Sequence, residues 1–368
     1  MSFYKFIEGF KNFDFENYFS GVKDSFVEKS LSKEKIDYFD FLNLLSDKAE
    51  KYLEQTVLKS HKITNQYFGK TIQLYAPIYV SNYCTNGCVY CGFNKNNQIE
   101  RRKLNPEEIE KEAIEIAKSG IKHILFLTGE SKEKSDFTYI KETLIILKKY
   151  FHSVSIEVYP LEEKEYFELR EAGLDGVTIY QETYDEEIYQ KVHLYGKKRE
   201  YRYRLDTPER AACAGVRQVG IGSLFGLADL EKEAFFCGLH AKYLTEKYID
   251  TDIGISLPRI KNACGGFKPK KELSDKKFVQ FLAALRLFLP KAAINLSTRE
   301  DEKFRDNLIG LGVTKMSAGS KTEVGGYSNR ENKNAQFEIS DKRSAKEIDD
   351  TIRRKGFLPI YKDWESIR

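Results

Sequence analysis

The stretch Cys84-Thr85-Asn86-Gly87-Cys88-Val89-Tyr90-Cys91-Gly92-Phe93 decides how the rest of the chain is read. It holds three of the six cysteines, spaced C-x3-C-x2-C. Gathering thiolates costs free energy unless something binds them. Cysteine sulfur is the usual ligand of iron–sulfur clusters, so three thiolates on one loop can hold three irons of a [4Fe-4S] cube. With Cys84, Cys88 and Cys91 as ligands and no fourth cysteine nearby, one iron keeps an open position. An open iron suggests chemistry at the cluster rather than electron storage. The competing reading is a structural zinc site, but closed zinc sites want four ligands and the chain has no second cysteine pair. Cys213, Cys237 and Cys264 are solitary and read as small packed side chains.

Outward from this loop, apolar runs recur at 77–82, 123–128, 155–160, 176–183, 217–224, 252–258, 292–298 and 313–317. Helical patterns separate them. The clearest opens at Asn105-Pro106-Glu107-Glu108, with a capping side chain, a proline at the first helical position and acids in the first turn. It turns Ile109, Ala113, Ile116 and Ala117 inward and stops at Gly120. Others are predicted over 274–289 and from 228 towards 248. Strands alternating with helices imply βαβ units and a parallel sheet, and eight repeats close best as a (β/α)8 TIM-type barrel. An open doubly wound sheet is the alternative, since the last two runs are short. Ahead of the barrel, Ile36, Phe39, Leu42, Leu45, Ala49, Leu53 and Val57 recur at helical spacing and predict one helix over 36–58. The expected division is a helical leader at 1–70, the barrel at 71–320, and a C-terminal extension at 321–368 packing on it.

Ligands bind such barrels at the C-terminal ends of the strands. The second run ends in Thr128-Gly129-Glu130, where an acid can hold an ammonium or merely begin a helix. Glu157 sits inside the third run, where a buried charge needs a partner. The fourth ends in Gln181-Glu182-Thr183-Tyr184. The fifth runs into Gly220-Ile221-Gly222 without a P-loop lysine, so these glycines read as a close backbone approach to a flat ligand. Arg299 lies just past the seventh run, with Ser317 and Ser320 at the end of the eighth. An arginine with hydroxyls suits an amino-acid carboxylate; the bland alternative pairs Arg299 with Glu300 at the surface. His193 is read as structural.

The 368 residues carry a net charge of +4, with Lys and Glu alternating, too weak a balance to argue for nucleic acid. Hydrophobic residues, 41% of the chain, suffice for a sizeable core. No apolar run reaches about 18 residues, and charge interrupts residues 1–8, so neither a membrane helix nor a signal peptide is expected. Clustered free cysteines suit a reducing compartment, and the expected location is the cytoplasm.

The pattern C-x3-C-x-aromatic-C, with Tyr90 as the aromatic residue, resembles the signature of radical S-adenosylmethionine (SAM) enzymes. The resemblance implies that the open iron binds the amino and carboxylate groups of SAM. An external one-electron donor of the flavodoxin or ferredoxin type would then trigger cleavage to a 5′-deoxyadenosyl radical. Glu130 is implied to hold the SAM ammonium. Tyr203-Arg204-Leu205-Asp206-Thr207 resembles the biotin synthase-like branch, whose arginine takes the SAM carboxylate, a role carried to Arg204. Tyr90, Glu157, Gln181, Glu182, Gly220 and Gly222 are expected around the same cofactor.

Residues 74–84, Ser256-Leu257-Pro258-Arg259, Ser317-Ala318-Gly319-Ser320 and Gly325-Gly326-Tyr327 resemble the aromatic amino acid lyase branch. The tail Tyr361-Lys362-Asp363-Trp364 is similar to that of the 2-iminoacetate synthases of thiamine biosynthesis. This implies cleavage of tyrosine between Cα and Cβ into p-cresol and 2-iminoacetate, the latter consumed by thiazole synthase. Arg299, Ser317 and Ser320 would hold the tyrosine, with Tyr79 beside it as a proton shuttle. A tryptophan lyase sibling shares the arginine and serine positions, so phenol and indole are not separated. A hydrogenase maturase sibling carries a second cluster in a C-terminal extension, for which no cysteine after Cys264 is available. Other radical SAM reactions and a non-catalytic iron–sulfur scaffold are the remaining alternatives.

Overall fold

The computed structural model describes residues 2–269, 271–328 and 335–362. All eight predicted runs become parallel strands. They are β1 Thr71–Ser81, β2 His123–Thr128, β3 Ser153–Glu157, β4 Gly176–Thr178, β5 Gln218–Gly222, β6 Asp252–Ser256, β7 Ala293–Leu296 and β8 Lys315–Ser317. Their order β2-β3-β4-β5-β6-β7-β8-β1 closes on itself, because β1 also pairs with β2. The closed (β/α)8 barrel excludes the open doubly wound sheet. β2, His-Ile-Leu-Phe-Leu-Thr, is buried nearly throughout, as a parallel strand must be when helices cover its outer face and barrel contents its inner one.

The helices carry the caps that the sequence predicts. Asn105 accepts from the Glu108 N–H, and Glu108 from the Asn105 N–H, so helix Pro106–Ala117 begins in a reciprocal box. Ser274 caps Asp275–Phe288 and Asp229 caps Leu230–Lys247. The helix predicted over 36–58 is wrong in one respect: it breaks. Tyr38–Leu45 ends at an extended Ser46, a 3-10 turn spans Asp47–Tyr52, and a second helix runs Leu53–Phe68. Buried Gln280 explains the break, since its amide donates to the freed carbonyls of Leu44 and Ser46, both at 2.8 Å. Unpaired, each buried carbonyl would cost about 1–3 kcal/mol.

The leader docks on the helices after β5 and β6. The Phe3 ring stacks on His240 at 4.1 Å and Phe41 on Phe288 at 4.5 Å. Its buried residues join the same apolar cluster as the barrel strands. At the other end, helix Ala345–Arg354 leads to an unanticipated ninth strand, β9 Leu358–Ile360, paired in parallel with the start of β1. Buried Glu112 accepts the backbone N–H groups of Tyr327 and Ser328, which ties the extension to the helix Pro106–Ala117 that follows β1. Asp363 and Trp364, the most telling part of the tail, lie outside the described residues. No described helix is long and apolar enough to cross a membrane.

Candidate active site

Past β1 the cysteine loop folds over the C-terminal end of the barrel. Arg101 clamps it by donating to the carbonyls of Asn82, Phe93 and Asn94 at 2.8, 2.9 and 2.6 Å. Glycine is required twice. A Cβ at Gly87 would lie 2.5 Å from the Tyr195 ring, and one at Gly92 would lie 2.5 Å from the Gln336 carbonyl oxygen. Cys84, Cys88 and Cys91 are free thiols that border one cavity. Burial, then the neighbouring Cys84, push the Cys91 thiol up to about 11. A bound cluster would take the sulfurs as thiolates and release those protons. Among the described residues no three His, Cys, Asp or Glu side chains converge on a single ion. Three cysteine sulfurs on one loop suit an iron–sulfur cluster, whose usual ligands they are.

Tyr90 donates from its hydroxyl to His193 Nε2 at 2.7 Å, and His193 Nδ1 faces the Tyr189 carbonyl at 2.8 Å. Burial holds the imidazole neutral. The carbonyl therefore fixes the proton on Nδ1 and leaves Nε2 to accept. His193 thus orients the motif's aromatic residue, although its sequence context offers no hint of it.

Beside the thiols, four charged groups meet. Arg204 Nη1 lies 2.9 Å from Glu130 Oε1, and its Nη2 lies 3.8 Å from Glu182. Lys198 Nζ donates to Glu182 at 2.7 Å. Asn86 donates to the second Glu130 oxygen at 2.8 Å, and Arg204 Nε to the Tyr180 carbonyl at 2.7 Å. A zwitterionic amino acid presents its ammonium and carboxylate a few ångströms apart, and an adjacent Glu–Arg pair matches both ends. Burial pushes Glu182 up, but Lys198 and Arg204 hold its carboxyl below the usual range. Glu157 lines the same cavity, where burial and then Glu182 push it up to about 7.

Three expected cofactor contacts fall elsewhere. Gln181 is buried but does not line the cavity, because strand alternation turns Tyr180 and Glu182 inward instead. Gly220 lines a second hollow nearer the N-terminal end of the barrel, where a Cβ would come 2.9 Å from Thr178 Oγ1. Gly222 makes room for protein, not ligand: a Cβ there would meet the Ser256 carbonyl oxygen at 2.6 Å and the Tyr180 ring at 2.9 Å.

Across the cavity lie Tyr79, Arg299, Ser317 and Ser320. Glu300 pairs with Arg259 rather than with Arg299. The Arg299 guanidinium instead stacks on Phe337, 3.4 Å from the ring centroid. It therefore keeps its planar fork for a carboxylate. The Ser320 hydroxyl is buried without a hydrogen-bond partner, whereas Ser317 Oγ already accepts from the Thr298 N–H at 3.0 Å. Tyr79 donates to Gln336 Oε1 at 2.8 Å, and Gln336 Nε2 contacts Cys91 Sγ at 3.9 Å. One open-mouthed cavity is thus lined together by the three thiols, the Arg204 charge group and Arg299.

A family model of the radical SAM superfamily matches residues 78–234, and that of the biotin and thiamin synthesis associated domain matches 256–358. The chain is 38% identical to 2-iminoacetate synthase of Escherichia coli over 92% of its length and 90% of that protein's. It belongs to the 2-iminoacetate synthase family of radical SAM enzymes. It is also 30% identical to 3-methylornithine synthase of Methanosarcina acetivorans, over 74% of this chain and 76% of that one. Among solved structures, the FeFe-hydrogenase maturase HydG from Carboxydothermus hydrogenoformans superposes with a TM-score of 0.88 at 32% identity. That match covers 95% of this chain and 82% of the maturase.

For this 2-iminoacetate synthase family member, sequence reading missed Lys198, Gln336, Phe337 and Tyr180, all on the cavity wall. Lys198 sits in an ordinary basic run, Lys197-Lys198-Arg199. Gln336 and Phe337 lie far beyond the last barrel strand. Only Tyr180 carried a usable signal, the two-residue alternation that also turns Gln181 away.

Proposed function

We propose that this chain is a radical SAM lyase that cleaves tyrosine between Cα and Cβ, giving 2-iminoacetate and p-cresol, and so feeds thiazole formation in thiamine biosynthesis. One observation carries the reading. A single cavity joins the three-thiol loop to two arginines, Arg204 paired with Glu130 and Arg299 with Glu157 and Glu182 in its field but in no direct ion pair among the described residues. One amino-acid site suits the methionine moiety of SAM and the other the substrate.

Cys84, Cys88 and Cys91 hold one [4Fe-4S] cluster per chain. Glu130 takes the ammonium of SAM and Arg204 its carboxylate, while Lys198 and Glu182 balance the charge beneath. With an electron from a flavodoxin- or ferredoxin-type donor, the cluster and SAM held there would supply 5′-deoxyadenosyl radical chemistry. Arg299 and the free Ser320 hydroxyl grip the tyrosine carboxylate, so its amino group faces the thiol side. Tyr79, kept protonated by burial and then by Glu157, holds its proton on the phenol oxygen beside the substrate. Glu157, near 7, is the cavity carboxylate able to exchange a proton at neutral pH. The extension's Phe337 and Gln336 wall off water. The thiol chemistry suits the reducing cytoplasm, with thiazole synthase as the consumer of the product.

The test is anaerobic incubation of cluster-loaded protein with SAM, reductant and tyrosine. p-Cresol should appear with glyoxylate, the hydrolysis product of 2-iminoacetate. A 3-methylindole-type product from tryptophan, with no p-cresol from tyrosine, would overturn the tyrosine assignment.

A further inference from the structure

Among the described residues, Glu182 is the non-glycine residue with a positive φ, 72°. A side chain with a Cβ adopts this region only where its surroundings hold it there, and such positions cluster at functional sites. Glu182 is also where the cavity charges converge, within 2.7 Å of Lys198 and 3.8 Å of Arg204.

The backbone on both sides is fastened. Before it, the Gln181 N–H donates to the Gly222 carbonyl at 3.1 Å, and the Glu182 carbonyl accepts from the Leu224 N–H at 2.7 Å. After it, the chain meets Glu233, in the first turn of the helix Leu230–Lys247 and only 2% exposed. The Glu233 carboxylate accepts the Thr183 hydroxyl at 2.7 Å, the Tyr184 N–H at 3.0 and 3.1 Å, and the Asp185 N–H at 3.4 Å. Three of its donors are thus the residues that follow Glu182, and the Ser223 hydroxyl, just past β5, also favours the carboxylate. Two turns along the same helix, His240 Nδ1 meets the Tyr184 hydroxyl at 2.9 Å. A buried carboxylate without a cation beside it is costly, and burial pushes Glu233 up to about 7. A purely packing position would be better filled by an apolar side chain.

We propose that Glu233 is a positioning residue for the cofactor site. It pins the turn at residues 183–185 and so keeps Glu182 in the left-handed conformation that aims its carboxylate at Lys198 and Arg204. A return to negative φ would redirect the Cα–Cβ bond and carry the carboxylate away from both cations. The inference rests on the reading of Glu182 as part of the SAM site.

The experiment is a double-mutant cycle on cluster-loaded protein, with SAM affinity measured by anaerobic titration. The Thr183, Tyr184 and Asp185 donors all reach Glu233 Oε1, so Glu233→Ala removes the anchor whereas the carbonyl oxygen of Glu233→Gln can keep it. Glu182→Gln and Glu233→Ala should each weaken SAM binding, by about tenfold, the size of one charge-assisted bond. The double variant should bind no worse than Glu182→Gln alone. Wild-type affinity in Glu233→Ala beside a weakened Glu182→Gln overturns the positioning role and leaves the cofactor reading intact. Additive losses also overturn it, because Glu233 would then act by another route. Wild-type affinity in Glu182→Gln overturns both. If Glu233→Ala does not fold, Thr183→Val removes one of the same contacts, and its smaller loss should likewise vanish in the Glu182→Gln background; a loss that persists there rejects the proposal.

Discussion

Two groups of buried charges face opposite fates in this fold. At the cavity, Glu130, Glu182, Lys198 and Arg204 neutralise one another but keep an open side. On the flank, Arg305 and Asp341 are both fully buried and paired, with Arg343 joining Asp341 at 2.7 Å and Asp306 at 2.9 Å. Arg305 also donates to the Ser317 carbonyl, so this group welds the extension to the end of β8. The chemistry is alike and the surroundings differ. Charges walled in by protein can only hold the fold, whereas charges with a cavity beside them can exchange partners with a ligand.

The comparison breaks most visibly through the thiol loop that roofs the cavity. Cys88→Ala should lose the cluster and with it all SAM cleavage, while unfolding of the cluster-free protein changes little. Retention of about four irons per chain, the content of one cube, would sink the ligand assignment. Arg299→Ala comes next. Tyrosine cleavage should disappear while slow, uncoupled SAM cleavage persists, and a normal p-cresol yield would reject Arg299 as the substrate anchor.

Asp341→Ala tests the flank. It leaves Arg305 buried without its partner and should cost about 3–5 kcal/mol of unfolding free energy, with unchanged SAM affinity in the folded fraction. A loss below about 1 kcal/mol would place this pair with ordinary surface bridges. Glu130→Gln and Arg204→Leu should behave in the opposite way. Each should weaken SAM binding, by about 1.5–3 kcal/mol, with little change in melting temperature. Unchanged calorimetric affinity in both would remove them from the cofactor site.

The smallest effect is a pH dependence. Glu157 has its folded value raised from 4.5 to about 7. The unfolded state therefore binds fewer protons at this site, and the contribution of Glu157 to stability falls as pH rises through that window. In cluster-free protein, Glu157→Gln should gain stability relative to wild type between those two values. A constant difference across the window, by chemical denaturation, would show that the carboxyl is not perturbed. On the flank, Arg343 and Arg305 hold Asp341 below its ordinary value although burial opposes them. Its stabilisation is present above about pH 4 and fades only in acid, the reverse sign.

Much of the barrel was legible before any coordinates. Alternating apolar runs and capped helices are local signals, and all eight strands overlap the runs that predict them, although β1 starts at Thr71 rather than 77 and regular β4 stops at Thr178 rather than continuing to 183. Errors arose where a distant residue overrode local pattern. Gln280 breaks the leader helix at Ser46. β9 has only three residues and forms because the start of β1 offers a free edge.

The chain's own order of residues determined the thiol triad, the number of βα units and the strand ends at which polar groups gather. These follow from spacing, which a folded chain cannot rearrange. The tertiary structure decided which of those polar groups share a cavity. It swung Gln181 away, gave Gly220 and Gly222 to packing, freed Arg299 by pairing Glu300 with Arg259, and brought Lys198, Gln336 and Phe337 to the thiols from remote segments. Side-chain direction and through-space pairing depend on closure of the barrel, and no window of sequence contains that information.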